Sequence, residues 1–433
     1  MIYSERDTIA PNIMAFTAIV AAVASLLSFV LLQNDDFGYG FFTMFICTLL
    51  LAFCSRKHSI ISQPLAIAFI FRIGFCLLLS VKGDGDADNY GVYAVHFANM
   101  PITEIFSNIP TGAYFYSWLI SFSFRLFGEN YMPIRVINAT LSVCCVWIIA
   151  DIASYLYKNP KTVIKIAWIV AVFPNLIRFS SYFANREVIL MLFMLLYIKY
   201  SYLYYNRTNN GYLLVSILAL IPSMILHTSM IAMILLTILI ILSKEGKTQN
   251  KGTNFIREAF LTIATIAVFL YMLSSGIGME KFNIGGGVDL NVSSISNIGN
   301  MSAVGRAAYL SGVTFSNPVL TLLFLPVRVL YFLYTPFPWM IRSVIDIVGF
   351  FDAILYIWAS IPIYKKLKEI HRKRKGKSPD ERFLLLLFIT LVIIIAMFAA
   401  VTSNYGTAIR HRCKLIPIFL LIAADYIRLP FNR

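Results

Sequence analysis

Residues 61–81 read ISQPLAIAFIFRIGFCLLLSV, and residues 82–90, following without a break, read KGDGDADNY. The first string is long enough to cross a hydrocarbon core of about 30 Å as a helix. The second places Asp84, Asp86 and Asp88 within five residues. A span that ends on three carboxylates sets those acids at the mouth of a membrane domain, so the fold turns on whether such spans recur. They do. The chain of 433 residues is 59% hydrophobic and 13% charged, with a mean hydropathy of +0.76. Runs of about 18 or more apolar residues recur from end to end. A soluble core cannot absorb that much apolar surface, and the short alternating segments of a membrane β-barrel are missing. The expected fold is all-α and polytopic.

Candidate spans fall near 12–32, 39–54, 61–81, 135–156, 163–178, 187–205, 211–226, 229–243, 258–275, 340–363, 383–402 and 413–428, about twelve helices by length and hydropathy. The first run is too long for a signal-peptide core and lacks a cleavage site, so no leader is expected. Basic residues orient the chain. Ser55-Arg56-Lys57-His58, the lysines at 158, 161 and 165, Arg207, the 244–257 run and the strongly basic 365–377 stretch all fall on one side, read as cytoplasmic with both termini. Two apolar stretches break this parity if counted as crossings: Gly112–Gly128, which contains Arg125, and Pro318–Tyr334, which contains Pro326 and Arg328. Both are expected to be interfacial helices on the outer face, with Trp118, Tyr331 and Trp339 in the aromatic belt. The Gly-, Ser- and Asn-rich segment Gly276–Asn317 is an outer loop, a lid or an ordinary connector. One membrane domain covers 1–433, and loops 82–134 and 276–339 form a roof over its outer face.

The net charge of +15 follows from the basic cytoplasmic loops, and an anionic substrate would add to it; nucleic acid is not an expected partner. The six cysteines lie in or beside apolar runs without metal-like spacing and read as small buried residues. The outer face is less ordinary. It collects arginine and little lysine, against the usual bias, and arginine is the planar donor suited to phosphate. Arg186 and Glu187 open an apolar helix. His227-Thr228-Ser229 separates two short runs, and Arg410-His411-Arg412 opens the final span. The candidate diphosphate site is drawn from these residues together with Arg328: Arg186, Arg410, Arg412, His411 and Arg328. Asp86 or Asp88, ahead of Asp84, is the candidate general base, because a carboxylate at a partly dry mouth can take a proton from an attacking hydroxyl. On an extended segment the three acids share one side, which also suits oxygen coordination of Mg2+ or Mn2+. His227 is a candidate proton carrier or phosphate donor. Each of these residues has a bland counterpart reading: a solvated acidic loop, interfacial snorkelling, a satisfied structural histidine. Arg72, inside the third span, should face the protein and pair there.

An acidic motif after an early helix, an aromatic-rich segment ending in Leu126-Phe127-Gly128-Glu129, then Arg135, an apolar helix and a Phe173-Pro174 helix end resemble the GT-C class of membrane glycosyltransferases. The simplest GT-C layout has one helix before the acids; here there are three. Asn185-Arg186 and His227-Thr228-Ser229 resemble more closely the polysaccharide polymerases of the Wzy/EpsG type. The similarity covers roughly 61–242 and 410–412. It implies a bacterial plasma-membrane transferase acting at the outer face on a polyprenyl-diphosphate-linked oligosaccharide and joining repeat units into O-antigen, capsule or exopolysaccharide. It also implies a lipid-bilayer environment and a chain-length regulator protein as partner. A GT-C enzyme adding one sugar or glycan to a lipid or protein is the alternative. A flippase of lipid-linked glycans is the third reading, and it lacks the inverted repeats that such transporters carry.

Overall fold

The computed structural model describes residues 9–56, 59–78, 86–107, 109–182, 184–207, 209–244, 303, 305–311, 313, 318–373 and 377–428. The expected span at 258–275, Asp84 and most of the Gly276–Asn317 loop lie outside the described residues. Among those described there is no strand, and one isolated antiparallel bridge joins Ala308 to Asn404. The chain is an all-α, multi-pass membrane protein. It divides into two compact units, Met1–Leu195 and Leu196–Arg433.

The first unit holds α1 (Ile9–Val30), α2 (Asp35–Ser55), α3 (Ser62–Leu78), α4 (Asp86–Asn99), α5 (Ile102–Ser107), α6 (Ala113–Phe127), α7 (Tyr131–Leu156), α8 (Pro160–Val172), α9 (Pro174–Ser181) and the start of α10 (Glu187–Arg207). In α1 the apolar bulk faces outward: Phe16, Ile19, Leu26 and Val30 are exposed, whereas Ala10, Ala18, Ala21, Ser25 and Ser28 are buried. That inversion is the signature of packing in lipid, where hydrocarbon competes equally for large side chains and small residues let backbones approach. Ser25 Oγ donates to the Gly38 carbonyl of α2 at 2.9 Å. A Cβ on Gly38 would meet the Phe29 ring at 2.5 Å, so this contact requires glycine.

The second unit holds the rest of α10, α11 (Asn210–Leu226), a 3-10 turn (Thr228–Met233), α12 (Ile234–Lys244), α13 (Pro318–Tyr334), α14 (Val344–Arg372), α15 (Pro379–Val401), α16 (Tyr405–Cys413) and α17 (Ile416–Ala423). Among the described residues, six helices are long and apolar enough to cross a membrane, and α8 with α9, bent by 53°, makes a seventh if counted as one span. α13, expected to lie along the surface, packs beside α14 and α15. Its last residue, Tyr334, shares a 3.0 Å hydrogen bond with Ser360, well inside α14. The expected final span, 413–428, is instead a short helix enclosed on every side: each residue from Ile416 to Ala424 is buried.

Polar caps set many of the boundaries. The side chains of Asn34, Asn130, Asn159, Asn209 and Asn404 accept hydrogen bonds from the first turns of α2, α7, α8, α11 and α16. Ser378 and Glu381 form a capping box on α15. Each such cap is worth about 1 kcal/mol.

Candidate functional site

The acidic motif begins a helix. α4 starts at Asp86, which corrects the extended reading at positions 86–88. Successive positions on a helix turn by about 100°, so positions 86 and 88 diverge, and position 86 aligns instead with position 90, one turn on. Tyr90 is buried, and its ring meets the Tyr116 ring of α6 edge-on, with centroids 5.2 Å apart. Gly91 lets the Tyr131 hydroxyl come directly against α4, where any Cβ would collide with it. These two contacts fix the turn that carries the acids.

From Tyr116 a polar chain leads to the start of α10. Asn138 Nδ2 donates to the Tyr116 hydroxyl at 3.2 Å and to the Asn185 carbonyl at 2.9 Å. Arg186 follows, buried, with its guanidinium carbon 5.9 Å from the centroid of the Tyr90 ring. Glu187, only 2% exposed, sits in the first turn of α10, where the helix dipole favours a carboxylate. Burial raises the Tyr116 phenol pKa, the Asn138 hydrogen bond opposes that rise, and the nearby Tyr90 and Glu187 add to it. The first unit thus gathers an aromatic pair, a cation and a buried carboxylate beside the turn that opens with Asp86. The sequence marks Glu187 only as a charge opening an otherwise apolar helix beside Arg186, and the candidate site residues drawn from it leave Glu187 out.

Two other arginines of this unit have structural work. Pro174 breaks the helix after α8 and exposes that helix's terminal carbonyls, which hydrocarbon cannot satisfy. Arg72, fully buried on α3, reaches them: Nη1 donates to the Ala171 carbonyl at 2.7 Å and Nη2 to that of Val170 at 3.2 Å, while Nε donates to Ser142 Oγ at 2.7 Å. Arg135 does the same for the end of α9, its Nε donating to the Ser181 carbonyl at 2.9 Å.

In the second unit, α16 and the end of α11 bring His227 and His411 together. Their ring centroids lie 5.0 Å apart, edge to face, and His411 stacks on Phe398 of α15 at 4.8 Å. Lys414 Nζ, fully buried, lies 3.3 Å from His411 Nδ1. The sequence motif ends at Arg410-His411-Arg412 and leaves out Lys414, two residues beyond it.

Arg412 and Arg328 do not join that group as phosphate donors. Arg412 Nε and Nη2 donate to Asp352 Oδ2 at 2.9 and 2.7 Å, and Nη1 donates to the carbonyls of Phe332, Leu333 and Thr335 at 3.2, 2.8 and 2.7 Å. Arg328 donates to the Ala400 carbonyl, Ser403 Oγ and the Val313 carbonyl. Both close the ends of helices, α13 and α15 respectively, as Arg72 closes α8. Asp352 escapes the sequence reading, although a carboxylate inside an apolar run implies a buried cation. Arg410 is half-buried and precedes His411 on α16.

Asp86, Asp88, Arg186 and Glu187 therefore belong to the first unit, and His227, Arg410, His411 and Lys414 to the second. Among the described residues, no group of three or more His, Cys, Asp or Glu is placed to hold a metal ion. No curated protein and no solved structure matches the chain. The family model of dolichyl-phosphate-mannose-protein mannosyltransferases matches residues 111–274, a region that takes in α6 to α12 and with them Asn138, Arg186, Glu187 and His227. That match supports a membrane glycosyltransferase of the GT-C type.

Proposed function

We propose that the chain transfers a glycosyl group from a polyprenyl-phosphate-linked donor at the outer face of a bacterial plasma membrane, and that the product is a polymer of lipid-linked repeat units. One observation carries the reading: Arg186, followed by the buried Glu187, stands over the ring of Tyr90, one helical turn from Asp86, inside a membrane domain and within the stretch that matches a glycosyltransferase family. In the proposed reaction a sugar hydroxyl attacks the anomeric carbon of the donor. The bond from that carbon to the phosphate oxygen breaks, and its electron pair leaves with the lipid phosphate or diphosphate. Asp86 or Asp88 takes the hydroxyl proton. Arg186 stabilises the charge that develops on the departing phosphate, the role in which a fixed cation in a dry site acts most strongly. Glu187 orients Arg186 or the acceptor. In the second unit, taken by itself, His227, Arg410 and His411 are proposed as an anion-binding group. An apolar groove of about 630 Å³, lined by Pro326, Leu330, Phe388, Val392 and Phe419 among others, is proposed to seat part of a polyprenyl chain.

The family match also favours a second reading, addition of one sugar or glycan, since the matched family is described as dolichyl-phosphate-mannose-protein mannosyltransferases. Product analysis separates the two. Full-length protein in lipid nanodiscs, supplied with lipid-linked saccharide extracted from host membranes, yields a ladder if it polymerises and one product if it adds once. Asp86→Asn and Asp88→Asn are tested in the same assay. Loss of a base lowers turnover by about 10²–10⁴-fold, and full activity in both folded variants removes the base assignment.

A further inference from the structure

The residue before Arg186 has a polar group that the protein does not use. Asn185 is 4% exposed. Its backbone carbonyl accepts from Asn138 Nδ2, so its position is fixed through α7 and, by the second Asn138 bond, through Tyr116 on α6. Its side-chain oxygen is buried and has no hydrogen-bond partner among the described residues. A buried amide oxygen left unpaired costs about 1–3 kcal/mol, and proteins seldom retain one without a use for it. The orphan belongs to the residue adjoining Arg186 and Glu187, not to a remote part of the core.

An amide oxygen accepts and cannot donate. A phosphate, a carboxylate or another carbonyl offers it nothing. What satisfies it is a donor, and the donor that a saccharide supplies in quantity is a hydroxyl. The geometry points to Asn185 as a sugar-recognition residue: its side-chain oxygen accepts a hydrogen bond from a hydroxyl of the bound glycan, while Arg186 beside it takes the phosphate. The division is chemical, with a neutral acceptor for the sugar and a cation for the leaving group. A site built to bond a hydroxyl rejects analogues that lack it, because the unpaired acceptor then stays buried. This inference rests on the reading of the Arg186 cluster as a glycosyl-transfer site.

The test is steady-state kinetics of the full chain in nanodiscs with lipid-linked saccharide from host membranes. Asn185→Leu keeps the size of the side chain and removes the acceptor. It should raise KM about tenfold, the equivalent of one lost hydrogen bond, with kcat within about twofold. Asn185→Gln, which keeps an amide, should recover most of the loss. An unchanged KM in Asn185→Leu overturns the assignment, as does an equal loss in both variants. A fall in thermal stability with KM unchanged assigns Asn185 to the fold and overturns it too. If Asn185→Leu does not fold, Asn185→Ser, smaller and still polar, carries the measurement with the same expected rise in KM. The two readings fail differently: absence of turnover in the unaltered protein removes the transferase, whereas normal turnover with an indifferent Asn185→Leu removes only the sugar contact.

Discussion

Arg186, of the first unit, and Arg412, of the second unit, are hard to tell apart in the sequence: each is an arginine opening an apolar segment, and each is a candidate for phosphate. Their surroundings differ. Arg412 is enclosed by Asp352 and three backbone carbonyls on one side and the Tyr356 ring on the other, so its charge is neutralised and its donors are spent. Arg186 lies over an aromatic face beside the turn that carries the acids. The lesson is that an arginine in a membrane protein can close helix ends or, as proposed for Arg186, meet a substrate, and that residue type does not choose between them. A broken or ending helix within reach does.

Four substitutions would break or sharpen this contrast. Arg412→Met removes the guanidinium that pairs with buried Asp352 and should cost about 3–5 kcal/mol of stability, read by thermal unfolding in detergent; adding Asp352→Leu should restore most of it. Arg186→Met should act on turnover instead, which falls by about 10²–10³-fold in the folded variant. Equal effects of both substitutions on stability would erase the distinction. Arg72→Leu removes the donors that close α8 and should cost about 1–3 kcal/mol for the buried carbonyls it strands, with hydrogen exchange rising first at the amides of residues 170–177. The smallest effect is expected at a cap: Asn404→Ala should cost about 1 kcal/mol, visible as fraying of the first turn of α16.

Much of the architecture is legible in the sequence, because span length and apolar content are local properties. The ends of α2, α7, α10 and α15 fall close to the expected runs. The inward pairing of Arg72 follows from cost alone. What stays hidden depends on distance in sequence. Arg412 meets an aspartate 60 residues away, and no local pattern links the two. The acidic motif misleads for another reason: two glycines and three aspartates carry no periodicity, so the alternation of 84, 86 and 88 suggests an extended strand where α4 begins. The break at Phe173-Pro174 is visible as a helix end, but 163–178 still passes as one span because the apolar residues of α8 dominate it.

The sealed helix α17 shows that apolar character is not one quantity in this chain. In α1 the exposed Phe16, Ile19 and Leu26 meet lipid, and what matters there is solubility: many shapes serve, provided that they are greasy. In α17 no side chain meets lipid, and what matters is volume. Leu420→Ala should open a hole costing about 2–5 kcal/mol, whereas the same exchange at Leu26 trades one lipid-soluble surface for another. Drift in lipid composition is therefore felt by α1 and α2, while α17 answers only to the side chains packed around it.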